Sequence, residues 1–168
     1  ISQQALREMR LLVYELRPLA LMDVGLVGAL QQRLDAVERR SGIEVHLSIE
    51  KEFEVPANIE EELYRIATEA LNNVLKHADA TNVTVALRKE KIHETPCIEL
   101  SIIDDGIGFD PNSREGEGGM GVTSMRERIE NLGGDLSIYS TPSEGTEVRA
   151  CVNLEPSPNT ANIQEVEA

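Results

Sequence analysis

The chain has no tryptophan, and aromatic residues make up only 3% of its 168 positions, so its core must be built from aliphatic side chains. The same scarcity excludes the stacking platforms that single-stranded nucleic acid requires. Positive charge is short as well: 16 Lys and Arg stand against 30 Asp and Glu, for a net charge of -14. A field of that sign repels nucleic acid and anionic membrane surfaces, so direct binding to either is not expected. Any polyanionic ligand must be met by a local device. The two cysteines, Cys97 and Cys151, form no metal-spaced or redox-spaced motif and read as reduced core thiols of a cytoplasmic protein. No apolar run approaches the roughly 18 residues of a spanning helix, and Ile1-Ser2-Gln3-Gln4 does not open a signal peptide. The chain begins in mid-pattern, which reads as a piece of something longer. At about 100 to 200 residues per domain there is room for one domain, or for one domain and a fragment of another.

What is present is regular patterning. Leu6, Met9, Val13 and Leu16 predict a helix over 5–17 with a coiled-coil-like seam, ended by Pro18. A second helix is predicted from about Asp23, a capping residue type, with Leu26, Leu30, Leu34 and Val37 on one face and Gly42 as its stop. Residues 43–49 alternate strictly, Ile43, Val45, Leu47 and Ile49 against Glu44, His46 and Ser48, as a half-buried strand does. After Pro56 a long helix runs to about His77 with the stripe Ile59, Leu63, Ile66, Ala70 and Val74. Residues 82–89 and 97–103 read as strands joined by the polar stretch Glu90 to Thr95. Six of the twelve glycines lie between Gly106 and Gly121, which predicts a mobile loop. A helix from Val122 to about Leu132 follows, then strands at 136–140 and 147–153 around a turn at Pro142 to Gly145. The polar tail from Glu155 reads as disordered. The expected fold class is therefore α/β (α+β): a two-layer sandwich with a mixed sheet and its helices on one face.

Three polar constellations stand out. On the long helix Glu69, Asn73, Lys76 and His77 are spaced by four, three and one residues. At about 100° per residue they share an arc of roughly 100° beside the apolar stripe. A solvated face explains the charged members. It explains Asn73 less well, because asparagine is a poor helix former whose carbonyl oxygen is a neutral ligand for Mg²⁺. Second, Asp104-Asp105-Gly106-Ile107-Gly108-Phe109 directly follows a strand. Its glycines let backbone approach a flat ligand, and its carboxylate can accept from an exocyclic amine, which suits adenine and repels the guanine carbonyl. Alone, this motif is also an ordinary turn. Third, Gly118-Gly119-Met120-Gly121 opens the helix bearing Ser124, Arg126 and Arg128, and a Gly-rich helix start can cradle phosphate. Alone, it is also a linker.

Order and spacing carry more than any single motif. Glu-x-x-x-Asn on a helix, Asp-x-Gly-x-Gly after a strand, Gly-x-Gly opening a helix, and Gly145-Thr146 before a last strand together resemble the Bergerat-type ATP-binding domain shared by sensor histidine kinases, gyrase, Hsp90 and MutL. The resemblance covers residues 43 to about 154. The stretches Glu69-Ala70-Leu71-Asn72-Asn73-Val74-Leu75-Lys76-His77 and Met125-Arg126-Glu127-Arg128-Ile129-Glu130-Asn131-Leu132-Gly133-Gly134 resemble bacterial two-component histidine kinases of the subfamily paired with nitrate-response-type regulators. Glu15-Leu16-Arg17-Pro18, Gly25-Leu26 and Ala29-Leu30 resemble that subfamily's exit from its dimerisation hairpin. The implied division is 1–22 as the end of that hairpin and its linker, 23–154 as the catalytic ATP-binding domain, and 155–168 as the tail.

The resemblance further implies residue roles. Asn73 would be the Mg²⁺ ligand, Asp104 the adenine reader, Gly106 and Gly108 the base-side loop, and Gly119 and Gly121 the phosphate-side loop with Val122 beside it. Lys76, His77 and Thr146 would be phosphate neighbours. Glu69 matches the acid that activates water in the ATPase relatives, although a kinase of this kind phosphorylates an imidazole. The implied function is transfer of the γ-phosphoryl of ATP, with ATP or ADP and Mg²⁺ as ligands, to a histidine on the dimerisation hairpin of a kinase homodimer. Onward transfer goes to an aspartate of a response-regulator receiver domain. The three histidines, His46, His77 and His93, match no hairpin acceptor, so the resemblance puts that residue upstream of Ile1. Two rival readings use the same fold: a serine kinase that silences a sigma factor, from which the hairpin exit departs, and a non-catalytic interaction module stabilised by nucleotide.

Overall fold

The computed structural model describes residues 18–50, 54–112 and 119–154. The expected leading helix over 5–17, the tail from Glu155 and the middle of the glycine-rich segment lie outside these residues. Helix α1 spans Leu19–Ser41 and buries Leu26, Leu30, Leu34 and Val37, the face that their spacing predicts. Its start differs from expectation. The helix begins at Leu19, directly after Pro18, and Asp23 is an exposed interior position that caps nothing. The break comes at Gly25, whose φ of 70 and ψ of -177 only glycine adopts readily. Helical structure restarts at Leu26, whose amide donates to Glu60 Oε2 at 3.1 Å, so the capping carboxylate comes from another helix. At the other end Gly42, with φ 73, stops the helix as expected, and its amide returns to the Glu38 carbonyl.

The remaining elements are β1 (Glu44–Ile49), α2 (Ala57–Asn73) continued by a π-turn (Val74–Ala78), β2 (Asn82–Ile92), β3 (Thr95–Asp104), α3 (Met120–Asn131), β4 (Asp135–Thr141) and β5 (Gly145–Asn153). The sheet order is β1-β2-β3-β5-β4. β1 pairs with β2 in parallel and every other pair is antiparallel, so the sheet is mixed, as the short hairpin connections require. Ile98, Leu100 and Ile102 of β3 and Val148, Ala150 and Val152 of β5 share one core with Leu30, Leu34, Leu63, Ile66 and Ile129 from the three helices. Among the described residues the three helices therefore cover one face of the sheet, in two layers.

Three boundaries moved for physical reasons. The β2–β3 hairpin continues to Ile92 and resumes at Thr95 around the two-residue turn His93-Glu94, both at positive φ. The polar residues from Glu90 are exposed ladder positions, so composition concealed the strand. Helix α3 begins at Met120, which places Gly121 in its first turn rather than in the preceding loop. The α2 helix changes to a π-turn after Asn73 instead of running unchanged to His77. Cys97 is buried and Cys151 half-buried, both free and both on the sheet face away from the helices. Burial, followed by a hydrogen bond with the Cys97 thiol, pushes the Cys151 thiol up to about 12, as befits an inert structural pair.

Candidate nucleotide-binding site

Strand register builds one end of the site. Val83 pairs with Asp104, Asp104 with Thr146, and Thr146 with Ser140, so four residues from β2, β3, β5 and β4 form one row on the helix-covered face. Asp104 keeps only 7% of its surface exposed. Its Oδ1 accepts the Gly106 amide at 2.9 Å, and the Thr146 amide also donates to the carboxylate. Burial pushes the Asp104 carboxyl above the usual carboxylate range against the pull of these two amides, and the charge of Asp105 adds to the rise. Two donors do not exhaust a carboxylate, so lone pairs remain for a ligand N–H.

Asp105 behaves in the opposite way. Its carboxylate accepts from the Thr81 amide (2.8 Å), the Thr81 hydroxyl (2.7 Å), the Asn82 amide (2.8 Å) and the Asn82 side-chain amide (2.8 Å). These bonds, those from Asn82 foremost, hold its carboxyl well below the usual range. The result is a staple from the end of β3 to the start of β2, which fixes where Asp104 stands. The Asp-x-Gly-x-Gly spacing singles out Asp104 and gives Asp105 no role. Four donors converging on it become visible only when two distant segments meet.

The loop after Asp104 is pressed between two backbones. A side chain at Gly106 would overlap the Ala78 carbonyl, and one at Gly108, where φ is 59, would overlap the Thr141 carbonyl. The Ile107 amide donates to the Ala78 carbonyl at 2.7 Å, and the Ser143 amide donates to the Ile107 carbonyl at 2.6 Å. The Phe109 amide donates to Ser140 Oγ at 2.9 Å. The loop is thus tied to the end of the π-turn on one side and to the β4–β5 hairpin on the other.

Glu69 and Asn73 stand one turn apart on α2, both half-buried, as their spacing predicts. Asn72 turns toward α1, where its carbonyl oxygen accepts from the Arg33 guanidinium. Asn73 has no hydrogen-bond partner among the described residues, which leaves its carbonyl oxygen to a ligand. Lys76 and His77 fall in the π-turn, so the 100° arithmetic that grouped them with Asn73 does not describe them. Both are exposed. At the start of α3, Gly119 is the N-cap with no capping side chain and no acidic residue in the first turn. The Met120 and Gly121 amides therefore stand at an uncapped helix start with its partial positive charge. The Glu69 carboxylate occupies the place a Gly121 side chain would take, so the two predicted residues are neighbours. Val122 packs partly buried against the core. Arg126 donates to the Leu136 carbonyl at 3.1 Å, and Arg128 pairs with Glu62 at 2.9 Å. These arginines tie α3 to β4 and α2, so the positive feature here is the helix terminus itself. Thr146, expected as a phosphate neighbour, stands beside Asp104 in the strand register.

A mixed sheet covered on one face, with a buried carboxylate behind glycines and a helix start without a side-chain cap beside Glu69, one turn from Asn73, fits a nucleoside-phosphate-binding domain. Residues 58–156 match the family of histidine kinase-, DNA gyrase B-, and HSP90-like ATPases, and the chain belongs to that family. It is similar to the signal transduction histidine-protein kinase/phosphatase DegS of Brevibacillus brevis, with 36% identity over 87% of this chain and 37% of the relative. The sensor protein VraS of Staphylococcus haemolyticus is 35% identical over 94% of this chain and 44% of its own length. The chain thus spans less than half of the curated relatives it matches. The histidine kinase domain of the Erythrobacter litoralis EL346 blue-light activated histidine kinase shares the fold, with a TM-score of 0.60 and 24% identity over 77% of this chain and 61% of that one. Among the described residues no helix is long and apolar enough to cross a membrane.

Proposed function

We propose that the chain is the catalytic, ATP-binding part of a sensor histidine kinase. It binds Mg²⁺·ATP and presents the γ-phosphoryl to a histidine on the dimerisation hairpin of a homodimeric kinase, for onward transfer to a receiver-domain aspartate in the cytoplasm. One observation carries the reading: the buried Asp104 acceptor at one end of the site faces the same layer as Asn73, Glu69 and the start of α3 at the other. The names of the sequence relatives support the kinase assignment.

In this reading Asp104 accepts from the adenine amine, and a guanine carbonyl in its place would meet carboxylate lone pairs. Asn73 holds Mg²⁺ through its carbonyl oxygen. One neutral protein oxygen would fit such an ion, which binds through few protein ligands when phosphate is also present. When bound, Mg²⁺ offsets phosphate charge in a chain whose own charge is -14. The Met120 and Gly121 amides direct partial positive charge at the phosphates, with Lys76 and His77 at the exposed margin. Glu69, seated against Gly121, is the candidate catalytic carboxylate at the phosphate end. Catalysis by these groups is positioning and electrostatic stabilisation. The test mixes the chain with a hairpin fragment carrying the acceptor histidine and γ-labelled ATP. Acid-labile, base-stable phosphate on the hairpin is expected. Label on a serine of a partner, or intact ATP binding without transfer, would refute the kinase reading.

A further inference from the structure

Ser140 belongs to no nucleotide motif, yet it closes the row that holds Asp104 and Thr146. Its hydroxyl has three polar neighbours: the Phe109 amide at 2.9 Å, the Gly145 carbonyl at 3.0 Å and the Thr146 hydroxyl at 2.8 Å. A serine hydroxyl offers one proton and two lone pairs. The Gly145 carbonyl can only accept, so it takes the Ser140 proton. The Phe109 amide fills one lone pair, and the Thr146 hydroxyl must then donate into the other. This leaves the Ser140 hydroxyl saturated. It also directs the one Thr146 hydroxyl proton toward β4, so that what remains of that hydroxyl offers lone pairs only.

We propose that Ser140 is a positioning residue for base selectivity: it sets the Thr146 hydroxyl as an acceptor beside the Asp104 carboxylate and latches the base-side loop through Phe109. The inference rests on the adenine reading of Asp104. Two adjacent acceptors suit a 6-amino purine, whose amine has two N–H donors, and disfavour a 6-oxo purine, whose carbonyl meets lone pairs from both. Without the Ser140 hydroxyl, the Thr146 proton is free to turn toward the ligand and satisfy a 6-carbonyl, while the Phe109 amide loses its partner.

Calorimetry on the whole chain with ATP and ITP tests this, with ITP measured by competition where its heat is small. Ser140→Ala should weaken ATP by about three- to tenfold and ITP by less, so the ATP preference narrows. Ser140→Thr keeps the hydroxyl and should restore the preference, which a mere volume effect would not do. In a Thr146→Val background, Ser140→Ala should leave the ratio unchanged, because no hydroxyl remains to be oriented. Equal losses for both nucleotides, or an unchanged ratio in Ser140→Ala, overturn the proposal and make Ser140 a packing residue. If Ser140→Ala loses its thermal transition, Ser140→Cys supplies the same comparison with a similar volume and a weak donor. Asp104→Ala separates the two readings. Full ATP preference in that variant sinks the adenine reading, whereas a lost preference there with an unchanged ratio in Ser140→Ala sinks only the role of Ser140.

Discussion

Glycine lines both ends of the site, but for different reasons. At the base end a side chain at Gly106 or Gly108 would strike a backbone carbonyl, from Ala78 or Thr141, that cannot yield without moving an element. At the phosphate end a side chain at Gly119 would meet nothing within 4 Å, and one at Gly121 would meet only the end of the Glu69 side chain. Protein packing demands the first pair. The second pair leaves backbone amides bare at a helix start, which the proposed phosphate binding would use. The same residue type thus marks a finished surface at one end and an accessible one at the other.

The largest effect should come from Gly108→Ala, which adds an overlap with the Thr141 carbonyl to a left-handed backbone at φ 59. A loss of about 3 kcal/mol or more is expected in urea unfolding. A mild loss would mean that the base end can relax and would break the contrast. Next, Asp104→Ala should weaken ATP by roughly ten- to a hundredfold, the loss of about 1.5 to 3 kcal/mol for a charged hydrogen bond. Calorimetry on a folded variant with unchanged ATP affinity would reduce Asp104 to a turn residue. At the other end, Asn73→Ala should erode the advantage that Mg²⁺ gives ATP while leaving adenosine binding nearly intact. Equal losses for both ligands would indicate damage to α2.

Proton linkage distinguishes the two adjacent aspartates. The Asp105 carboxyl lies below the ordinary aspartate value of 3.8, so its stabilisation is present above that pH and is lost as pH falls below it. Asp105→Asn should therefore flatten the acid arm of the stability curve, modestly, because the group is exposed. The Asp104 carboxyl is raised, so its contribution is present below 3.8 and is lost as pH rises through the raised value. Asp104→Asn should make the ligand-free domain more stable near neutrality. Thermal melts across the acid range check both signs, and parallel profiles for the two variants would contradict them. The smallest effect belongs to Gly119→Ala. With open space and an ordinary φ of -52, it should change stability by no more than about 0.5 kcal/mol. A loss comparable to that of Gly108→Ala would erase the distinction between the two ends.

Much of this architecture is legible in residue spacing. Leu26, Leu30, Leu34 and Val37 announce the buried face of α1, and the alternation from Ile43 to Ile49 announces β1, because helical and strand periods are local properties. Asp23 misled for the same reason. It has the chemistry of a cap, but the carboxylate that receives the Leu26 amide is Glu60, 34 residues away. The helical angle that groups Lys76 and His77 with Asn73 holds only while the helix stays α, and the chain turns π from Val74.

Local sequence was enough to establish a mixed two-layer α/β domain, its polar band at Glu69 and Asn73, an Asp-x-Gly-x-Gly turn after a strand and a Gly-rich helix start. These follow from periodicity, glycine placement and the chemistry of single residues. Only the packed sheet decided that Thr146 stands beside Asp104 and Ser140 beside Thr146, that Asp105 is a staple, and which glycines the protein itself requires. Register between strands joins Asp104 to Thr146, far along the chain, and Thr146 to Ser140 across the β4–β5 hairpin. Hydrogen-bond saturation and side-chain clearance exist only once that register has been made.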